Sequence, residues 1–266
     1  MAKEQKRLTK RREAQARIDE LFSQARHVNV IHYSCESFYD RPGNTSPRIT
    51  SIAVRNLDSG QTHSFSIHQV AETRGIDLDA ITTYYDKLER EMLDSFYDYV
   101  RQRPNHRWLH WNMRDVNYGF AAIEHRYRVL GGEPVVIHEN DKHDLARILI
   151  ARYGPAYAGH PRMLNLVKLN HITDRDALSG ESEAAAFDGQ EYAKLHLSTL
   201  RKVDVISNIA EREWNGTLKT NSTWREEYGT TLAGLVHAAT DHPVFKVLGA
   251  IGVVATIVQL VLLMVR

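Results

Sequence analysis

Three acidic side chains stand beside predicted strand ends or on a predicted helix. Glu36 follows the apolar stretch VNVIHYSC, Asp115 follows the short stretch RWLHW, and Asp204 lies in the helical pattern GQEYAKLHLSTLRKVDVISNIAERE. Side chains at the ends of neighbouring strands converge, and a helix that packs across the strands can add a third. Carboxylate oxygens from separate segments are the ligands that suit Mg²⁺ or Mn²⁺ in proteins. The three acids are therefore candidates for a metal-dependent active site.

The elements around these acids predict a mixed α/β domain. Three strands joined by short turns indicate an antiparallel meander, which is followed by helix, strand, helix, strand and several more helices. The predicted strands are VNVIHYSC, RITSIAVRNL, THSFSIH, RWLHW and EPVVIHEN. The predicted helix caps are Asp77 or Asp79, Asp141 or Asp144, and Ser179. This order resembles the ribonuclease H-like fold, a mixed sheet with helices on both faces.

Within that fold, residues 28–213 resemble the DEDD family of 3′–5′ exonucleases. Family members carry a D-x-E at the end of the first strand, an N-x-x-x-D-like motif after the fourth strand, and an Asp on the last helix. The matching positions are Ser34-Cys35-Glu36, Asn112-Met113-Arg114-Asp115 and Asp204. The resemblance implies that Glu36, Asp115 and Asp204 are catalytic. It also implies that Glu36 and Asp204 hold Mg²⁺ or Mn²⁺, which activates water against a phosphodiester.

The chain departs from the family pattern in ways that weaken a metal site. Ser34 replaces the first Asp, and Thr199 stands five residues before Asp204, where the family has a His general base. Leu200 stands where other members have Tyr, and the second motif is one residue shorter than usual. We therefore expect an exonuclease-like domain with a degenerate site. Two alternatives stay open: an active metal-dependent 3′–5′ exonuclease, and a scaffold or binding module that only presents a surface.

The acids also have ordinary structural interpretations. Asp115 could cap the following helix, and Asp204 could be ion-paired beside Arg201 and Lys202. Asp40 could replace the missing carboxylate, or it could be a turn residue. These interpretations compete with the metal site at every position.

Charge gives no global signal for binding to a polyanion. The chain has 34 basic and 33 acidic residues, so any nucleic-acid surface must be a local patch. We expect nucleic acid or a nucleotide to be contacted by Asn112, Arg114, Arg201 and Lys202. Further basic residues near these motifs are Arg126, Arg128 and Arg147.

The C-terminal sequence predicts a membrane anchor. Residues 247–265 are nineteen uncharged residues, enough at about 1.5 Å per residue to cross a hydrocarbon core of roughly 30 Å. The alternative is a helix buried in the core of the protein. Small and hydrogen-bonding residues recur on one helical face and indicate association between copies in the membrane. They are Gly249, Gly252, Thr256 and Gln259.

These patterns divide the chain into four parts and suggest a role. Residues 1–27 are a basic helix, 28–213 the exonuclease-like domain, 214–243 a linker and 244–266 the transmembrane anchor. We expect the basic helix to be solvated, and the alternative is that it contacts anionic lipid or nucleic-acid phosphate. One cysteine fits a reducing compartment. We expect a single-pass protein of the bacterial inner membrane with its soluble domain in the cytoplasm. By analogy, it would act as a homo-oligomeric antiviral defence or toxin-like effector that recognises nucleic acid or a nucleotide.

Overall fold

Five strands form one mixed sheet in the part of the chain that the computed structural model describes, residues 2–36 and 46–228. They are β1 Val28–Cys35, β2 Ile49–Asn56, β3 Thr62–Ser66, β4 Arg107–His110 and β5 Lys142–Asp144. The spatial order is β3-β2-β1-β4-β5. The pairs β1/β2 and β2/β3 are antiparallel, whereas β1/β4 and β4/β5 are parallel. The predicted mixed α/β architecture is confirmed.

The helices lie on both faces of this sheet. They are α1 Ala2–Ser23, α2 Ile67–Thr73, α3 Ile81–Arg101, α4 Phe120–Val129, α5 Leu145–Tyr153, α6 Arg162–Leu169, α7 Gly180–Asp188, α8 Tyr192–Trp214 and α9 Trp224–Tyr228. Short 3₁₀ turns precede β1, α3 and β5. The long α8 packs across β1 and β2 and also contacts α1.

One face of the sheet packs against α3 and α4. Ile31 and Ile52 from the sheet share a buried core with Leu88 and Phe96 of α3 and with Ile123 of α4. Successive side chains of a strand point to opposite faces, so Ile31 and its alternate neighbours belong to this side. The helical spacing of the α3 residues places them on one stripe against the strands.

The other face packs against α1, α5 and α8. Val30 and Leu109 of the sheet share a second core with Ile18 of α1, Leu149 of α5 and Ile206 of α8. The basic helix α1 therefore contributes to the core of the domain. Most of its charged residues are exposed, but Arg11 is buried and donates to the carbonyl of Arg152. The expectation of a solvated helix was wrong.

Two predicted strands differ from the structure. THSFSIH ends as a strand at Ser66, because α2 begins at Ile67 and buries Ile67 and His68. EPVVIHEN was predicted as the fifth strand, and this prediction was wrong. The strand paired with β4 is the three-residue segment Lys142–Asp144, whereas Val136 of EPVVIHEN is 56% exposed. Val135 and Ile137 of the same stretch pack against the core although the stretch does not pair with a strand.

The helix caps follow the sequence at two of three places. Ser179 caps α7 by accepting the backbone N–H of Ser182, and Asp144 caps α5 by accepting the N–H of Ala146. Neither Asp77 nor Asp79 caps α3 with its side chain, because a 3₁₀ turn, Leu78–Ala80, leads directly into that helix.

The membrane prediction falls on another part of the chain. No helix within residues 2–36 and 46–228 has the length and apolar character to cross a membrane. Residues 247–265, where the span is predicted, lie outside the described residues, as do Asp40 and the stretch 229–246.

Candidate functional site

The parallel strands β1, β4 and β5 all end at one border of the sheet, which we call the carboxyl edge. Near this edge the apolar interface between the sheet and α8 becomes polar. Ser34 Oγ of β1 lies 2.6 Å from Thr199 Oγ1 of α8, which lies 2.7 Å from Ser51 Oγ of β2. Thr199 also donates to the carbonyl of Leu195. We call Ser34, Thr199 and Ser51 the hydroxyl chain; all three residues are buried.

An ion pair adjoins the hydroxyl chain. Glu183 of α7 has its Oε1 2.7 Å from Nζ of Lys202 on α8, and the two side chains are only 16% and 12% exposed. Ser198 donates to the same carboxylate oxygen at 2.9 Å, and Ser34 Oγ lies 3.3 Å from it. The carboxylate of Glu183, which lies beside Ser34, is thus neutralised by the ammonium group of Lys202.

A histidine on β1 completes this polar region. His32 is buried, and its Nδ1 lies 3.4 Å from the hydroxyl of Tyr118. Burial lowers the pKa of His32 well below its usual value, and the positive charge of Lys202 lowers it further. His32 is therefore neutral at pH 7.

The loop between β4 and α4 is tied to the end of β1. The Gly119 N–H donates to the hydroxyl of Tyr33 at 2.9 Å, and the rings of Tyr33 and Tyr118 stack with centroids 4.7 Å apart. A side chain at Gly119 would lie 2.6 Å from the backbone carbon of Met113, so only glycine allows this approach. The loop is held by these contacts at the carboxyl edge.

A small cavity of about 150 Å³ opens at the ends of β4 and β5, and we call it the edge pocket. Its polar lining consists of His110, Arg114, Glu139, Lys142, Asp144 and Arg147. Asp144 organises one wall, since its Oδ1 accepts the N–H groups of Ala146 and Asn112 at 3.0 and 3.2 Å. Its Oδ2 lies 2.9 Å from Nε of Arg114 as an ion pair.

His110 forms another part of the edge pocket. Its Nδ1 accepts the backbone N–H of Met113 at 3.1 Å. Burial lowers the pKa of His110 to about 4, although the nearby charge of Asp144 acts in the opposite direction. The imidazole is therefore neutral at pH 7 and carries its proton on Nε2.

Glu36 and Asp115 both lie near the carboxyl edge. Glu36 directly follows β1, and its Oε2 accepts the N–H of Arg48 at 3.3 Å. Asp115 is exposed in the loop between β4 and α4, where its side chain accepts the N–H of Asn117 at 2.8 Å. Asp115 thus stabilises its own loop and does not cap α4.

Asp204 lies elsewhere along the strands. Its carboxylate is 3.2 Å from Arg55 of β2 and 3.5 Å from Arg201. Arg55 pairs in register with Val30, whereas Cys35, which precedes Glu36, pairs with Ile49. Five residues of strand at about 3.3 Å each separate these two levels by roughly 17 Å. The structure does not bring Asp204 together with Glu36.

The residues predicted to contact nucleic acid are divided between two places. Asn112 and Arg114 lie at the edge pocket, where Asn112 has a positive φ of 56° and Arg114 Nη2 donates to its side chain. Arg201 donates to the carbonyl of Arg175, and Lys202 is bound to Glu183. Arg114 is therefore the most exposed of the cationic side chains predicted for binding, at 43%.

Arg126, one of the further basic residues, is structural. It is 8% exposed and forms a buried ion pair with Glu89, with Nη2 2.6 Å from Oε2. Glu89 also accepts the N–H of Ile49 at 2.6 Å. This pair links α3, α4 and the start of β2.

Sequence reasoning missed Glu183, Ser51 and His110 as site residues. Glu183 carries the signal of a first-turn acid in α7, a role common to many helices. Its contact with Lys202 depends on how α7 packs against α8, which no spacing in the sequence indicates. His110 is the next-to-last residue of the predicted strand RWLHW, and its place near a strand end was the available signal for a residue at the carboxyl edge.

The described residues contain no group of three or more His, Cys, Asp or Glu side chains arranged to hold a metal ion. No family model, no curated protein and no solved structure matches this chain. The fold and the site thus define a mixed α/β domain with a buried polar cluster and an adjoining small pocket.

Proposed function

We propose that the chain is a ribonuclease H-like domain of the DEDD exonuclease type that recognises nucleic acid or a nucleotide through a degenerate site. Three antiparallel strands followed by two parallel strands, with helices on both faces, support this fold. The proposal treats the carboxyl edge as the former catalytic edge.

One observation carries the proposal. Ser34 and Thr199 occupy two of the positions at which the chain departs from the family pattern, and their hydroxyl oxygens are 2.6 Å apart. Two positions separated by 165 residues thus meet where the family's first Asp and its general base would act. Their meeting supports the alignment of these two positions, whereas Asp204 of the last motif lies away from Glu36. The hydroxyl groups at both positions support the loss of the catalytic groups.

The charge at this place also favours a site without metal. A two-metal site needs several carboxylates, because divalent ions must be neutralised by the protein. Glu183 is the carboxylate in contact with the hydroxyl chain, and Lys202 already neutralises it. We propose that the Lys202 ammonium supplies the positive charge that a metal ion would otherwise supply.

The membrane part of the proposal is supported by the sequence of residues 247–265. A domain that binds nucleic acid or a nucleotide, joined to such a segment, suits a sensor whose output occurs at the bacterial inner membrane. We propose an antiviral defence or toxin-like effector. Induced expression should then depolarise cells, and deletion of residues 247–266 should abolish the effect. Unchanged toxicity after this deletion would exclude the membrane effector.

A binding and degradation assay tests the domain function. The full chain in detergent is mixed with labelled single-stranded DNA or RNA, in EDTA or with Mg²⁺ or Mn²⁺. We expect binding under all conditions and no shortening of the strand. Metal-dependent shortening that Glu36→Ala abolishes would establish the active exonuclease instead. Absence of binding to both nucleic acid and nucleotides would favour the scaffold.

A further inference from the structure

The edge pocket has a size that suits a small polyatomic anion. Its volume is about 150 Å³. Water takes about 30 Å³ per molecule in the liquid, and sites for whole drug-sized ligands have roughly 300 to 1,000 Å³. The pocket can therefore accept a group with a few heavy atoms, such as a phosphate, but not a complete nucleoside.

The charges of the pocket favour an anion. Three cationic and two acidic side chains line it. The two acids are already occupied, since Glu139 pairs with Lys142 and Asp144 pairs with Arg114. Arg147 is exposed and forms no ion pair with any residue in the described ranges. Its charge is the excess that a ligand would neutralise.

Arg114 adds a second contact of suitable geometry. A guanidinium group has five N–H donors in a planar fork. Arg114 Nε lies 2.9 Å from Oδ2 of Asp144 as an ion pair, and one N–H of Nη2 donates to Asn112. The remaining donors match the spacing of phosphate oxygens, which an arginine fork binds in a bidentate way.

His110 and Asp144 make this arrangement rigid. Asp144 holds both Asn112 and Arg114, so the guanidinium is oriented before a ligand arrives. The neutral His110 can offer its Nε2–H as a donor without adding charge. A site in which donors are oriented in advance loses less entropy when it binds.

We propose that the edge pocket binds the phosphate group of a phosphomonoester, with Arg114 and Arg147 as the charged contacts. The inference deepens the proposed function and rests on it for the source of the phosphate, a nucleic-acid end or a mononucleotide. Inorganic phosphate shares the same chemistry and serves as the simplest probe. A divalent cation does not suit the pocket, because both of its carboxylates are paired with cationic side chains.

The test compares ends of one oligonucleotide on the full chain in detergent. The probes are a labelled single strand with a terminal phosphate at the 5′ or 3′ end, and the same strand with hydroxyl ends. We expect the phosphorylated strand to bind roughly tenfold more tightly, the factor for a hydrogen bond to a charged group. Inorganic phosphate should remove this advantage, and a mononucleotide should do so as well if its phosphate fits.

Two matched variants assign the effect to the pocket. Arg147→Gln should abolish the advantage of the phosphorylated strand over the hydroxyl-ended strand. Arg26→Gln removes the same charge from a side chain that is 86% exposed and precedes β1, so it should retain the advantage. Equal binding of both strands, or equal weakening by both variants, would overturn the inference while nucleic-acid binding stands.

If neither strand binds, the proposed binding of nucleic acid is wrong. Calorimetric titration of the full chain with inorganic phosphate then tests the edge pocket by itself. Phosphate binding that Arg147→Gln removes and Arg26→Gln preserves would support the pocket. No phosphate binding would overturn it.

Discussion

Ser34 Oγ of β1 lies 2.6 Å from Thr199 Oγ1 of α8, and both side chains are buried. Thr199 in turn contacts Ser51 and donates to the carbonyl of Leu195. A buried hydroxyl that loses its partner keeps the cost of desolvation, so the hydroxyl chain is a sensitive part of the molecule.

The variant Thr199→Val tests the hydroxyl chain. Valine has nearly the same shape, but it leaves the hydroxyls of Ser34 and Ser51 without their shared partner. We expect the free energy of unfolding to fall by about 1–3 kcal/mol. Urea denaturation followed by tryptophan fluorescence measures the change. Thr83→Val on the exposed side of α3 is the matched control, and an equal effect of both variants would contradict the account.

A double-mutant cycle tests the pair of Glu183 and Lys202. Lys202→Met leaves a mostly buried carboxylate without its cation, so we expect a loss of roughly 1–3 kcal/mol, between the values for exposed and buried pairs. Adding Glu183→Gln should recover part of the loss, because the unpaired charge disappears. Additive effects of the two changes in urea denaturation would show that the pair is not coupled.

The buried pair of Arg126 and Glu89 is predicted to be important for stability alone. Arg126→Met removes the cation that Glu89 contacts and leaves that carboxyl group fully buried, and breaking such a pair costs about 3–5 kcal/mol. Arg128→Met, on the same helix with a half-exposed side chain, should change stability little. The variant pair is compared by denaturation midpoint. Similar midpoints would contradict the structural role of Arg126.

Because the chain has buried histidines, we expect acid to lower its free energy of unfolding. Burial lowers the pKa of His196 to about 4 from an unfolded value of 6.5, with a smaller contribution from His68. Between these values the unfolded chain binds more protons than the folded chain, so stability is full above pH 6.5 and falls as the pH drops toward 4.

Each such histidine contributes a slope of up to about 1.4 kcal/mol per pH unit. Denaturation between pH 7 and 5 measures this slope. His196→Gln should reduce it, whereas the exposed substitution His125→Gln serves as the control. A stability that is constant over this range would contradict the assignment.

The central strands could be predicted from sequence because burial on both faces leaves a distinct pattern. VNVIHYSC coincides with β1, since a central strand contacts apolar neighbours on each side. Lys142–Asp144 gives no such pattern: it has three residues, and His143 alone among them is buried. Its place in the sheet follows from pairing with β4, which is a tertiary contact.

The candidate site was predictable only in part, because much of it depends on tertiary contacts. The motif positions identified Ser34 and Thr199, whose meeting follows from α8 crossing the sheet. Glu183 and the edge pocket depend on the packing of α7 and on the path of the loop before α4. For Asp204, the structural interpretation from sequence was an ion-paired helix residue. Its ion pairs with Arg55 and Arg201 agree with that interpretation.

The central claim is that the proposed site beside Ser34 works without a bound metal ion, and titration of Mn²⁺ tests this claim most directly. The full chain in detergent is added to Mn²⁺ at neutral pH, and the electron paramagnetic resonance signal of free Mn²⁺ is recorded. The account predicts that the signal is the same with and without the protein, because Lys202 supplies the positive charge beside Ser34. A stoichiometric loss of the signal that Glu36→Ala restores would contradict it.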